Sequence, residues 1–95
     1  MSKRRRIGVD LDGTLCIGDH WTSEKSALMA VPIVANIKKV NLMYKEDFIV
    51  IYTARQDWLM SATFQWLHEN NVRFHAVSNG KTPLDFLYDD IACQL

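Results

Sequence analysis

The sequence predicts an α/β fold built on a short parallel sheet, and three observations carry that expectation. Apolar, β-branched runs alternate with stretches of helical periodicity, and no repeat, low-complexity tract or linker interrupts them. Three of the four expected strands also end in polar or acidic residues, at Asp10, Thr53 and the Asp89-Asp90 pair.

The first expected strand runs from Arg6 to Asp10, with Ile7 and Val9 as its apolar residues, and Gly13 follows closely. From Cys16 to Val31 no periodicity holds; Gly18, Asp19, Ser23 and Ser26 point to a loop with one short turn. Pro32 suits the first position of a helix, where its fixed φ and missing donor cost nothing. Ile33, Ile37, Val40 and Tyr44 then recur at helical spacing, so a helix is expected from Pro32 to Lys45 with that face in the core.

Phe48 to Tyr52 (FIVIY) is the most hydrophobic run and reads as a central strand covered on both faces. Asp57 is placed to N-cap a second helix, with Leu59, Ala62, Trp66 and Leu67 inward and Asn70-Asn71 as its stop. Arg73 to Val77 gives a third strand, and Asp85 to Tyr88 a short fourth one. Trp58 and Trp66 read as packing residues, His68 as helix surface and His75 as a strand residue.

Ninety-five residues make one domain, near the lower end of what folds without disulfides or a structural metal. Lys plus Arg equals Asp plus Glu at 11 each, so net charge argues for neither a polyanionic nor a strongly cationic partner. Cys16 and Cys93 match no zinc spacing and read as reduced, semi-buried thiols. No stretch reaches the roughly 20 apolar residues of a membrane span. The Lys3 to Arg6 cluster leads into an acid-bearing strand, unlike a signal peptide, and reads as a solvated terminus, with nucleic-acid contact or an address as the alternatives. A cytoplasmic protein with no membrane partner is expected.

The chemistry gathers where strands end, because open parallel sheets bind ligands outside the carboxyl ends of their strands. Asp10-Leu11-Asp12-Gly13-Thr14 sets two carboxylates two residues apart where a strand gives way to a loop, and Gly13 lets the backbone curl. Two close acids repel unless a cation lies between them. A hard, oxygen-seeking ion such as Mg²⁺ answers that repulsion and leaves room for water and phosphate. Asp89 or Asp90 would complete the set, Lys81 would balance the charge, and Thr53 with the backbone donors from Ala54 onward would hold a phosphate. Such a constellation favours phosphoryl transfer. Arg55 and Gln56, beside Thr53, and His20 and Trp21, in the first loop, are further candidates for substrate contact.

These residues resemble the four motifs of the haloacid dehalogenase superfamily. Asp10-Leu11-Asp12-Gly13-Thr14-Leu15 looks like the first, Thr53 after an apolar strand the second, Lys81 the third and Asp89-Asp90 the fourth. The match covers roughly residues 7 to 92 and is most similar to short, capless phosphatases of the capsule-biosynthesis or polynucleotide type. The resemblance implies a Rossmann-like three-layer fold of strand order 3-2-1-4 in one minimal domain, residues 1–95, without a cap.

It also implies a mechanism. Asp10 would be the nucleophile and Asp12 the general acid and base. Thr53, Ala54 and Lys81 would hold the phosphoryl group. Mg²⁺ would lie among Asp10, Asp12 (through its main-chain carbonyl), Asp90 and Asp89. The expected activity is hydrolysis of a phosphomonoester, either a phosphorylated small molecule such as a sugar phosphate or a nucleic-acid end. An open site and a thinly covered sheet further imply a homo-oligomer. Two other classes compete, a receiver-like phosphoacceptor and a non-catalytic binding module. A receiver lacks an acid two residues after its phosphorylated aspartate, and intact motifs argue against the binding module.

Overall fold

In a computed structural model, the described residues are 5–17, 22–80 and, for backbone alone, 92–93. Strand β1 (Arg6–Asp10) lies between β4 (Phe48–Tyr52) and β6 (Ala92–Cys93), and β5 (Ala76–Ser78) flanks β4, all parallel. The described sheet therefore reads β5-β4-β1-β6. This differs from the expected sheet in its fourth member: Ala92–Cys93 pairs with β1, whereas the 85–88 segment lies outside the described residues.

The alternating aliphatics of β1 and the FIVIY run explain why these two strands form the centre. Ile7 and Val9 of β1 and Ile49, Val50 and Ile51 of β4 are all buried. All but Val50 join Leu11, Leu15, Ile37, Val40, Trp66 and Leu67, which pack helices onto the sheet. No helix among the described residues is long and apolar enough to cross a membrane.

Helix α2 (Val34–Met43) is shorter than the expected Pro32 to Lys45. Pro32 belongs instead to β3 (Val31–Pro32), which pairs antiparallel with β2 (Cys16–Ile17), matching Cys16 with Pro32 and Ile17 with Val31. The Ile33 N–H donates to the Leu15 carbonyl at 2.8 Å, so the chain is tied to the first loop before the helix begins. Ile37 and Val40 of the expected face are buried.

The stretch from Cys16 to Val31, expected as loop, also contains α1 (Glu24–Leu28). Ser23 and Ser26 form a reciprocal capping box at its start. Ala27 of α1 packs against Leu59 and Ala62.

Asp57 is the first residue of a 3₁₀ turn (Asp57–Leu59), not the expected N-cap, and helix α3 (Met60–Glu69) follows. Its carboxylate accepts from Asn79 Nδ2 at 2.6 Å, bridging to the segment after β5. At the other end Asn71 adopts φ 55°, and the N–H groups of Asn71 and Val72 bond the carbonyls of His68 and Leu67. That Schellman closure explains why the Asn pair stops the helix. Trp66 is buried, as expected of a packing residue, but Trp58 is 55% exposed on the tight turn. Strand β5 starts later than the expected Arg73, because the Arg73 N–H is drawn to Asn41 Oδ1 at 2.8 Å.

Candidate functional site

The register of β1 against β4 sets Asp10 opposite Tyr52, and Thr53 N–H donates to Ser78 O at 2.9 Å. The ends of β1, β4 and β5 thus meet at one edge. Asp10 is exposed there, and its side chain has no hydrogen-bond or ion-pair partner among the described residues.

Beyond Asp10 the chain turns sharply. The Leu11 carbonyl accepts from the N–H groups of Thr14, Leu15 and Cys16 at 3.3, 2.8 and 3.2 Å, so one oxygen anchors the whole turn. Gly13, at φ +88°, makes it feasible, since that region penalises any side chain. Asn36 of α2 fixes the turn from outside, donating from Nδ2 to the Thr14 carbonyl at 2.8 Å.

This curl aims Asp12 back at the end of β4. Thr53 Oγ1 donates to Asp12 Oδ2 at 3.4 Å, and Arg55 Nη2 and Nε donate to Oδ1 and Oδ2 at 2.8 and 3.3 Å. The Arg55 side chain is 1% exposed and that of Asp12 13%. The remaining guanidinium nitrogen, Nη1, donates to Thr63 Oγ1 at 2.9 Å, and Thr63 donates in turn to the Leu59 carbonyl at 2.8 Å. The Arg55 N–H also bonds Thr53 Oγ1 at 3.1 Å. Asp12, Thr53 and Arg55 therefore form one connected unit rooted in α3.

Cys16 lies against it. Its Sγ is 3.5 Å from Asp12 Oδ1 and 3.8 Å from Arg55 Nη2. Burial, followed by the charge of Asp12, pushes the thiol pKa up to about 11. Cys16 is thus fully buried, more than its expected half-burial, and is a neutral packing thiol, not a nucleophile.

Of the expected site residues, the structure brings together Asp12 and Thr53 and sets Asp10 at the same edge, while Ala54 is exposed beside them. Lys81, Asp89 and Asp90, together with His20 and Trp21, lie outside the described residues. Among the described residues no group of three or more His, Cys, Asp or Glu side chains is placed to hold a metal. Both Asp12 carboxylate oxygens are already engaged, so that carboxylate is poorly placed as a ligand. Its main-chain carbonyl receives no hydrogen bond from the described residues and is a suitable hard oxygen donor.

Arg55 is the residue that sequence reasoning placed least well. Its place beside Thr53 suggests substrate contact, whereas it is buried against Asp12. The only one-dimensional signal was its position two residues after Thr53, at the end of the most apolar strand.

No family model matches the chain, and no curated protein matches it. Two solved chains share its fold. One, from the Pnkp1/Rnl/Hen1 complex, aligns over 90% of this chain at a TM-score of 0.66 and 12% identity. The other, from the Pnkp1/Rnl/Hen1 RNA repair complex, aligns over 86% at a TM-score of 0.67 and 12% identity. This chain spans 32% and 29% of their lengths. At such identity the likeness is one of fold.

Proposed function

We propose that the chain is a Mg²⁺-dependent phosphomonoester hydrolase of the haloacid dehalogenase type, acting through an aspartyl-phosphate on Asp10. The observation that carries this reading is the Asp12-Thr53-Arg55 unit beside the exposed Asp10, whose side chain has no partner among the described residues, at the carboxyl edge of a parallel sheet. The fold shared with chains of an RNA repair complex supports a nucleic-acid-related role and, within the substrate class, favours a phosphorylated nucleic-acid end over a sugar phosphate.

In this reading Asp10 attacks phosphorus and the ester oxygen leaves with a proton from Asp12. Asp12 then takes a proton from the water that cleaves the acyl-phosphate, so one hard displacement becomes two easier ones. Arg55 keeps the Asp12 carboxylate in a single orientation during both half-reactions, and Thr53 with the Ala54 backbone holds the phosphoryl oxygens beside it. Lys81 balances the charge of Asp10 and phosphate. Asp10, the Asp12 main-chain carbonyl and Asp90, with Asp89 in support, would hold Mg²⁺. When bound, the ion neutralises phosphoryl charge.

The test is phosphate release from para-nitrophenyl phosphate and from a 3′-phosphorylated oligonucleotide, with and without Mg²⁺. Turnover by the wild type and its loss to background in Asp10→Asn are expected. A chain that releases phosphate from no phosphoester, or an Asp10→Asn variant as active as wild type, overturns the reading. The same assay separates it from a receiver-like phosphoacceptor or a non-catalytic binding module.

A further inference from the structure

The opposite end of the sheet carries a second feature that the proposed chemistry does not use. Lys38, Asn41, Leu42 and Lys45 recur at spacings of three, four and seven residues from Lys38 and so share one face of α2 and its continuation. With Tyr44 and Arg73 they line a groove of about 680 Å³, and no acidic residue among the described residues lines it.

None of Lys38, Lys45 and Arg73 has a carboxylate within ion-pair distance among the described residues, whereas Arg5 is paired with Asp47 at 3.2 Å. A chain of zero formal net charge therefore sets three positive groups without a carboxylate partner among the described residues around one concavity.

The walls are also tied in place. Asn41 Nδ2 donates to the Asn71 carbonyl and its Oδ1 accepts from the Arg73 N–H, both at 2.8 Å. The Arg73 guanidinium stands over the Tyr44 ring, 6.0 Å from its centroid, and that ring stacks on His75 at 4.4 Å. Leu42, 64% exposed, supplies an apolar surface between the charges.

We propose that this groove binds the phosphate backbone of a single-stranded nucleic acid. One small anion would be satisfied by one or two of these cations. Three along a concavity with an apolar surface between them match a polymer that repeats phosphates and presents base surface. The groove adjoins the starts of β4 and β5, while Asp10 lies where β1 ends, so the two are separated by roughly 15 Å of five-residue strand. An extended single strand of a few nucleotides spans that distance. The further step, that the bound strand is the one whose terminal phosphate reaches Asp10, rests on the phosphatase reading; the groove's affinity does not.

The experiment is fluorescence anisotropy of a labelled oligouridylate of about 20 nucleotides, titrated with the full chain across a salt series. It compares wild type, Lys38→Ala/Lys45→Ala and Arg73→Gln, with circular dichroism as a check of folding. Lys38 and Lys45 are exposed, so their truncation leaves the core intact. The double variant is expected to flatten the log affinity against log salt slope by about 1.4 and to bind roughly 20-fold more weakly near 0.1 M salt. Arg73→Gln should flatten the slope by about 0.7. Release of para-nitrophenol is expected to be unchanged in both variants. Unchanged affinity and slope in the folded variants would overturn the groove, as would a loss confined to polyglutamate or to phosphatidylserine vesicles. Wild-type oligonucleotide binding that the variants lose, without turnover of any phosphoester, upholds the groove and overturns the phosphatase reading alone.

Discussion

Arg55 clasps Asp12 through two nitrogens, with Nη2 on Oδ1 at 2.8 Å and Nε on Oδ2 at 3.3 Å, while itself being 1% exposed. A buried guanidinium is tolerated only when its donors are largely engaged, and here Asp12, Thr63 and Cys16 engage four of the five N–H groups. Removing Asp12 strands that charge. Asp12→Ala is expected to destabilise the fold by about 3–5 kcal/mol, and Asp12→Ala/Arg55→Met by less than the sum of the two single changes. Urea denaturation of the four proteins measures the coupling, and additive losses would show that the clasp contributes nothing.

The same clasp predicts a catalytic defect separable from stability. Arg55→Lys keeps the charge but lacks the planar fork. Under the proposed mechanism its turnover of para-nitrophenyl phosphate should fall by roughly 10- to 100-fold, with most of the loss in kcat, because the Asp12 carboxylate acts only in proton transfer. A loss confined to KM would assign Arg55 to substrate binding instead.

Gly8 sits beneath Tyr52, whose position in the register is opposite Asp10. A Cβ at Gly8 would overlap Cε2 of that ring and lie 3.0 Å from Cδ2. Gly8→Ala must therefore push the ring aside, at a cost of about 1–3 kcal/mol. In a Tyr52→Ala background the same Gly8→Ala change should cost less than it does in the wild type, as thermal melts of the four proteins would show.

How far such features can be read in one dimension follows from their length scale. Phe48 to Tyr52 and the Ile37-Val40 face announce themselves because apolar residues repeat over a whole element. The β2/β3 ribbon matches only Cys16-Ile17 with Val31-Pro32, and α1 has five residues, too few for any period to emerge. Ser23 and Ser26 looked like loop residues because the same hydroxyls that favour turns also form a capping box. At the site, Asp10, Asp12 and Thr53 were legible as strand-end polar residues. The burial of Arg55 was not, since it depends on Thr63 arriving from α3 and on the Gly13 turn returning Asp12, and arginine is rarely buried unless paired.

His75 occupies an unusual place ahead of β5. Its Nδ1 accepts the Ile49 N–H at 2.9 Å, its own N–H donates to the Ile49 carbonyl at 2.9 Å, and its ring stacks between Tyr44 and Phe48 at 4.4 and 4.6 Å. The side chain thus supplies an acceptor that the ladder would otherwise provide. His75→Leu should leave the Ile49 N–H unpaired and cost about 1–3 kcal/mol, whereas His75→Asn, which offers Oδ1 near the same place, should cost less. Faster hydrogen exchange at the Ile49 amide in His75→Leu alone would locate the defect.

The Cys16 thiol gives stability a defined pH dependence. With its pKa raised from 9.0 to about 11, first by burial and then by the charge of Asp12, the folded chain holds this proton where the unfolded chain releases it. Below pH 9.0 both states are protonated and the contribution is constant; as pH rises from 9.0 towards about 11 the unfolded state binds fewer protons and stability falls. The loss is on the order of 2 kcal/mol. Urea titrations between those limits, in a Cys93→Ala background that leaves one thiol, should show this decline, and Cys16→Ala should remove it. In the same background at neutral pH, Ellman's reagent should react at the rate of unfolding. Rapid labelling of the native chain, or an unchanged pH slope in Cys16→Ala, would refute the assignment.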